Sequence, residues 1–497
     1  MHAELYQRKS KIIIGLILLV VLGGMLRIYD LDKSTITHPE IYVPGIELPA
    51  DISAPDPRFT FSRILTTVIA CESHPPGYYW FMLVWTKLFG TSIIALRLPS
   101  VLFGIVCIVL IFIIGLLEKN ELTGLFAAGM LAFSGYHIFW SQEARMYSMG
   151  CFLGLLATVL LLFIIQGSPR KRMLKFMYSL VALAGLATTY YFWPIYITHI
   201  LWVFLWNILN NKKTTLGLFR IQILILILGC PFLAIAVFQS RRPSFVELEI
   251  LRKLSQFLQF GFLLEPDPFI FPPKSISIFI RILLITATLI LFGYGLRSKK
   301  DYKENNSIPS GPFSVVILLS GILMCCVILI FANFAHDKDS SRTELIIVTS
   351  AFPLLLALLD FLVHQYWGKI EKFYISKSNR LVFLKGLKFS ISSFLAIIPL
   401  MMIIVISFFV SLFTSRGSLL YVPYLIIVLS MGLVSLISHN HFWIVLLVFL
   451  AVIHIASVIH YSNRLHSPID YKSFSELWAT NIEDTDLIFV QRHWVTT

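Results

Sequence analysis

Ser141-Gln142-Glu143-Ala144-Arg145-Met146-Tyr147-Ser148 lies between two uncharged apolar runs, Leu122 to Trp140 before it and Met146 to Ile165 after it. Each run matches the ~20 apolar residues that an α-helix needs to cross a bilayer. Glu143 and Arg145 therefore fall where two membrane helices meet at the water interface. Ser141 is placed to cap the second helix, and Glu143 in its first turn faces the positive end of the helix dipole. A capped helix start with an interfacial arginine explains these residues as well as a reactive site does. The balance moves toward a site because a longer acidic stretch earlier in the chain falls on the same side.

Composition sets the class. A mean hydropathy of +0.81 with 13% charged residues excludes a soluble globular protein, and the apolar residues recur in runs of spanning length. The expected fold class is an all-α polytopic membrane protein. The formal net charge of +13 does not point to nucleic acid, because Lys and Arg fall mostly in short loops between apolar runs. Cysteines give no disulfide framework: Cys107, Cys151, Cys230, Cys325 and Cys326 lie inside apolar runs, and Cys71 has no partner in its own loop. Arg8, Lys9 and Lys11 precede the first apolar run as in a signal peptide, but no small-residue cleavage site follows. That run is expected to remain as an uncleaved first span.

Topology follows from the basic residues. The first span covers Ile12 to Ile28, with basic residues before it and Asp30 and Asp32 after it, which puts the N-terminus in the cytoplasm. The stretch Asp30 to Arg97 holds Glu40, Glu47, Asp51, Asp56 and Glu72 and is expected to form the first outer loop. Within it, Tyr78 to Phe89 is apolar but short and contains Lys87, which suits an interfacial helix, with a short spanning helix as the alternative. Spans at Pro99–Leu117, Leu122–Trp140 and Met146–Ile165 bring the chain to Arg170, Lys171, Arg172 and Lys175, a cytoplasmic cluster. The first loop and the Gln142-Glu143 turn then both face outward.

Continued alternation gives spans at Phe176–Tyr191, from there to Asn207, and at Leu216–Phe238, Ile276–Leu296, Phe313–Phe334 and Leu345–Val363. Three more, near 390–413, 418–437 and 441–460, bring the total to about 13, N-in and C-out. The domain reading is one transmembrane module over 1–460, with the first loop at 30–98, followed by a short extracytoplasmic tail at 461–497 that is too small for its own core. There is no evident internal repeat or low-complexity tract.

The outer surface thus collects the first-loop carboxylates, Glu143, Arg145, the run His74-Pro75-Pro76-Gly77-Tyr78-Tyr79, and Arg342 at the head of a later span. Carboxylates beside arginines at a membrane interface suit one reaction class. A base takes a proton from an acceptor hydroxyl or amine while cations hold the phosphate leaving group of a lipid-linked donor. A groove between helices would hold the donor's polyprenyl tail. The chain has no Gly-rich phosphate loop and no His pair of the zinc-protease kind.

Several blocks in order carry a resemblance: Gly77-Tyr78-Tyr79-Trp80 after His74-Pro75-Pro76, Leu88-Phe89-Gly90, Leu96-Arg97-Leu98-Pro99-Ser100, Ser141 to Tyr147, and Thr188-Thr189-Tyr190-Tyr191. Over about the first 200 residues the chain resembles the GT-C glycosyltransferases, in the protein O-mannosyltransferase and aminoarabinose transferase branch, grouped as dolichyl-phosphate-mannose-protein mannosyltransferase-like. The resemblance implies a GT-C fold, a polyprenyl-phosphate sugar donor, an extracytoplasmic glycan, lipid or protein acceptor, and transfer with inversion. It also implies an acidic pair early in the first outer loop. The matching stretch is Thr37-His38-Pro39-Glu40-Ile41-Tyr42, where Pro39 replaces the usual aspartate and Glu40 remains. Glu40 is the first choice for a base, with Glu47 and Asp51 in reserve, and Glu143 is the second catalytic residue. His74, Tyr78, Tyr79, Arg145, Tyr147 and Arg342 are the expected substrate-binding set. Some family members bind a divalent metal ion near these carboxylates, so a metal cofactor is an open expectation.

Plainer readings stand beside these. Pro75-Pro76 marks a rigid turn, and Tyr78 and Tyr79 suit an interfacial aromatic belt. His137, His199, His364 and His454 read as helix residues making local hydrogen bonds. The rival functions are a transporter or lipid flippase, and a catalytically inactive relative. A transporter calls for ionisable residues at mid-span, yet the mid-span regions are nearly free of charge, with Asp360, toward the inner end of its helix, as the main exception. Either a bacterial inner membrane or an endoplasmic reticulum is compatible, the first being favoured by the absence of a further lumenal domain.

Overall fold

The computed structural model describes residues 2–32, 40, 43, 64–65, 74–166, 170–210, 213–240, 287–288, 291–294, 390–407 and 415–439, with scattered positions from 448 to 458. Among these the elements are helices throughout: α1 (His2–Ile28), α2 (Gly77–Phe89), α3 (Ile93–Glu118), α4 (Glu121–Ala132), α5 (Gly135–Ser141), α6 (Met146–Ile165), α7 (Lys171–Thr188), α8 (Phe192–Asn210), α9 (Lys213–Ser240), α10 (Ile391–Ser407), α11 (Ser415–Ser418) and α12 (Val422–His439). Four contain stretches long and apolar enough to cross a membrane: Ser10–Ile28, Ile93–Glu118, Met146–Ile165 and Gly217–Ala236. The chain is a multi-pass integral membrane protein. The expected spans from residue 296 to 363, most of 276–296 and 441–460, and the tail after 460 lie outside the described residues.

Three local expectations need correction. The run Leu122–Trp140 is not one straight span: α4 and α5 meet at a 63° bend. The break has a cause, because the Ser134 side chain accepts a hydrogen bond from His137 N–H and starts a new helix there. Ser141 does not cap α6. It ends α5, and its hydroxyl donates to His137 O at 2.6 Å, while α6 begins at Met146 without a side-chain cap. Glu143 therefore sits in the turn between helices rather than in a first helical turn. Finally, α3 starts at Ile93, ahead of the expected Pro99, because Ser92 caps it through Ala95 N–H. That earlier start puts Arg97 on a helix.

Polar groups tie the helix ends together. Gln142 Nε2 donates to Arg27 O at 3.1 Å and Tyr29 O at 2.9 Å, closing the end of α1. Arg27 in turn donates to Leu131 O and Ala132 O, carbonyls at the end of α4. At the opposite end of α3, Glu118 Oε1 accepts from Ser392 N–H, and Lys119 Nζ donates to Met431 O and Ser435 Oγ. Those contacts dock α10 and α12 against the N-terminal helices.

A buried network adds to this, joining α6, α7, α8, α9 and α12. Thr158 Oγ1 lies 2.9 Å from Tyr424 Oη and 3.1 Å from His199 Nε2, His199 Nδ1 lies 3.3 Å from Tyr178 Oη, and Gln222 Nε2 donates to Tyr178 Oη at 3.0 Å. Such interhelical bonds hold membrane helices together where burial drives no association. His199 thus bonds across helices rather than locally, whereas His137 does both, its Nδ1 lying 3.3 Å from Ser141 Oγ one turn on and 2.9 Å from Arg27 Nη2. His454 keeps the local pattern, with Nδ1 2.8 Å from Leu450 O, and His364 lies outside the described residues.

Candidate active site

The site forms where the start of α3, the α5–α6 turn, the start of α2 and the residues before α12 come together. Arg97, one turn into α3, forms a two-pronged pair with Glu40: Nε to Oε1 at 2.9 Å and Nη2 to Oε2 at 2.7 Å. Its third nitrogen, Nη1, donates to Leu31 O at 2.8 Å. The same Glu40 Oε1 accepts the Ala144 N–H at 2.8 Å. Glu40 is 1% and Arg97 3% exposed, so this is a desolvated, geometrically matched ion pair. One carboxylate therefore pins the α5–α6 turn to the head of α3.

Glu143 is different. It is half-buried, and among the described residues no side chain or N–H bonds its carboxylate; its backbone oxygen accepts from Arg145 N–H at 2.8 Å. Burial pushes its carboxyl up to about 7, and the neighbouring Glu40 charge adds to the rise, against Arg416, Arg145 and Arg97, which favour the anion. Tyr78 sits in the same field. Burial raises its phenol most, Arg145 works against that, and Glu40 and Glu143 add to it. Ser100 joins the two elements, its hydroxyl donating to Arg145 O at 3.5 Å while its carbonyl accepts from Ser148 Oγ at 2.8 Å.

An aromatic wall adjoins these charges. His74 Nε2 lies 3.3 Å from Tyr147 Oη, with the rings edge to face at 5.7 Å, and Tyr191 lies on another side of His74 at 6.2 Å between ring centres. Trp140 packs on Tyr147 at 5.3 Å. Tyr190 Oη donates to Gln239 Oε1 at 2.8 Å, and Gln239 Nε2 donates to His74 O at 3.3 Å, which fixes the His74 backbone. Two glycines make the close approaches. A β-carbon at Gly77 would lie 2.5 Å from Ala187 O, and one at Gly417 would land on the Tyr191 ring. Only glycine at these positions lets α2 rest on α7 and lets Arg416 approach the site.

Of the expected site residues, the structure brings Glu40, Glu143, His74, Tyr78, Arg145 and Tyr147 into this one region. Tyr79 packs edge to face on Tyr78 at 5.7 Å between ring centres. Arg342, Glu47 and Asp51 lie outside the described residues. Sequence reasoning did not single out Arg97 or Arg416 as site residues. Arg97 was in view within a motif, and the alternation of spans places Arg416 in an outer turn, a signal that was available. A divalent cation fits the carboxylates of this site poorly. Both Glu40 oxygens are already taken by Arg97, one of them also by Ala144 N–H, and Arg97, Arg145 and Arg416 make the surroundings positive.

Fold and site together define a polytopic, all-helical membrane protein with a carboxylate–arginine cluster at helix ends. Residues 73–235 match the sequence model of the dolichyl-phosphate-mannose-protein mannosyltransferase family, so over about a third of the chain the expected resemblance is found. No curated protein matches the chain. Among solved structures, the oligosaccharyltransferase of Archaeoglobus fulgidus in complex with zinc and sulfate is similar at 11% identity and a TM-score of 0.40, over 94% of this chain and 56% of that one. The same organism's AglB with an inhibitory peptide and a dolichol-phosphate gives 11% identity and a TM-score of 0.40, over 96% and 59%. ArnT from Cupriavidus metallidurans gives 13% and 0.34, over 84% and 76%. The chain spans little more than half the length of the oligosaccharyltransferase chains.

Proposed function

We propose that the protein is an integral membrane glycosyltransferase that moves a sugar from a polyprenyl-phosphate donor to a glycan, lipid or protein acceptor on the extracytoplasmic face, with inversion. Glu143 is the base. It takes the proton from the acceptor hydroxyl or amine as that atom bonds to the anomeric carbon. The bond from that carbon to the phosphate oxygen breaks, and its electron pair leaves with the phosphate. Arg145 and Arg416 stabilise the charge that develops on the leaving phosphate. Glu40, paired with Arg97 and bonded by the Ala144 N–H, acts as a positioning residue that holds the Glu143 turn.

One observation carries the reading. Glu143 is a carboxylate without a hydrogen-bond partner among the described residues, pushed up to about 7 and placed among arginines, which is the condition a general base needs near neutral pH. The family match over 73–235 supports the reaction class. The test is transfer from purified polyprenyl-phosphate sugars by the wild type and Glu143→Gln, with mass spectrometry of lipid that co-purifies. Expected are a co-purifying polyprenyl-phosphate sugar and loss of transfer in the variant. Full transfer by Glu143→Gln would overturn its role.

A further inference from the structure

Below the α5–α6 turn, inside the bundle, Cys107 of α3, His137 of α5 and Cys151 of α6 converge beside Arg27 of α1. None of the four is more than 1% exposed. The two sulfurs are 3.9 Å apart, Cys151 Sγ is 3.8 Å from His137 Nε2, and all three ligand-type atoms lie within 4.8 Å of one another. Cys151 is six residues past Arg145, which on a helix rising ~1.5 Å per residue places it about 9 Å deeper than the site.

Arg27 supplies an independent observation. It donates to Gly23 O at 2.7 Å, Leu131 O at 3.0 Å, Ala132 O at 3.1 Å and His137 Nδ1 at 2.9 Å, and among the described residues no carboxylate touches it. The α4 carbonyls offer only about half a negative charge. A buried cation within a span is therefore left without a full counter-charge, where that is costly. The nearest groups able to become anions are the two thiols.

We propose that Cys107 and Cys151 bind one copper(I)-class ion as a bis-thiolate, with Arg27 as its counter-charge. Each thiol gives up its proton on binding and no electron is transferred. Two thiolates and a monovalent cation leave one negative charge, which Arg27 cancels. A divalent ion would leave Arg27 uncompensated. With Arg27 donating into Nδ1, a neutral His137 ring carries its proton on Nε2, so it donates toward Cys151 Sγ rather than ligating. Zinc, which takes four ligands, is then undersupplied, whereas paired soft thiolates suit copper(I). This site is separate from the sugar-transfer reading and stands or falls without it.

The test uses the full chain in detergent with its thiols reduced, titrated with copper(I) against a chromophoric chelator and, in parallel, with zinc. Wild type is expected to hold one copper(I) per chain and to release two protons. Cys107→Ser and Cys151→Ser should each weaken binding by on the order of 100-fold, with zinc bound far more weakly throughout. Arg27→Gln should narrow the preference for copper over zinc about 10-fold; if that variant does not fold, the serine variants decide alone. Wild type that retains no copper, zinc bound as tightly as copper, or copper binding unchanged in both serine variants would overturn the proposal.

Discussion

Glu40→Gln and Glu143→Gln should separate stability from chemistry. Glu40 neutralises a guanidinium that is 3% exposed, through contacts of 2.9 and 2.7 Å. An amide there leaves the buried Arg97 guanidinium charged without the carboxylate that neutralises it. Removing one partner of a buried pair costs about 3–5 kcal/mol, because the remaining charge stays desolvated. Glu143 has no such partner to strand, so its amide variant should lose transfer without any loss of stability, unfolding no lower than the wild type at neutral pH. Coupling supplies the sharper measure. In Glu40→Gln/Arg97→Gln both charges are gone, and the double variant should recover about 2–3 kcal/mol relative to the sum of the single losses. The assay is thermal unfolding in detergent followed by tryptophan fluorescence, with sugar transfer measured on the same preparations below the transition. If Glu40→Gln keeps the wild-type unfolding temperature and loses transfer, Glu40 is the reacting group and the division of roles given above is wrong.

Other expectations follow from the same geometry. Transfer should rise with pH through about 7 as the Glu143 carboxyl ionises, and a pH–rate profile at saturating donor checks it. Arg416→Gln removes a charge that favours the Glu143 anion, so the midpoint of that profile should move to higher pH. Stability carries the matching signature. Glu143 is pushed up from 4.5 to about 7 on folding, so the folded state binds more protons between those values and loses that contribution as pH rises through about 7; unfolding temperatures of Glu143→Gln should lack that slope. Gly77→Ala puts a β-carbon 2.5 Å from Ala187 O, and forcing α2 off α7 should cost about 1–3 kcal/mol, seen as a lower unfolding temperature.

What could be read from the sequence was whatever rests on hydropathy and order. Apolar runs marked α1, α6 and α9 closely, since a membrane helix is announced by length and composition alone. The same signal failed at Leu122–Trp140, because hydropathy is indifferent to a bend and Ser134 looks like any small residue in an apolar run. It also passed over Arg27, which stands near the end of an apolar run and resembles an interfacial anchor. Only the fold reveals its burial against carbonyls 104 and 105 residues away. The acidic residues were found, but not the difference between them. Two glutamates in two outer segments look equivalent on paper, and the family pattern put Glu40 first. Arg97, separated from Glu40 by 57 residues, is what sets them apart: two guanidinium bonds and an N–H occupy three of the four lone pairs of the Glu40 carboxylate. On that difference rests the proposal that Glu143, with its carboxyl pushed up to about 7, is the base, and that Glu40 holds in place the turn carrying it.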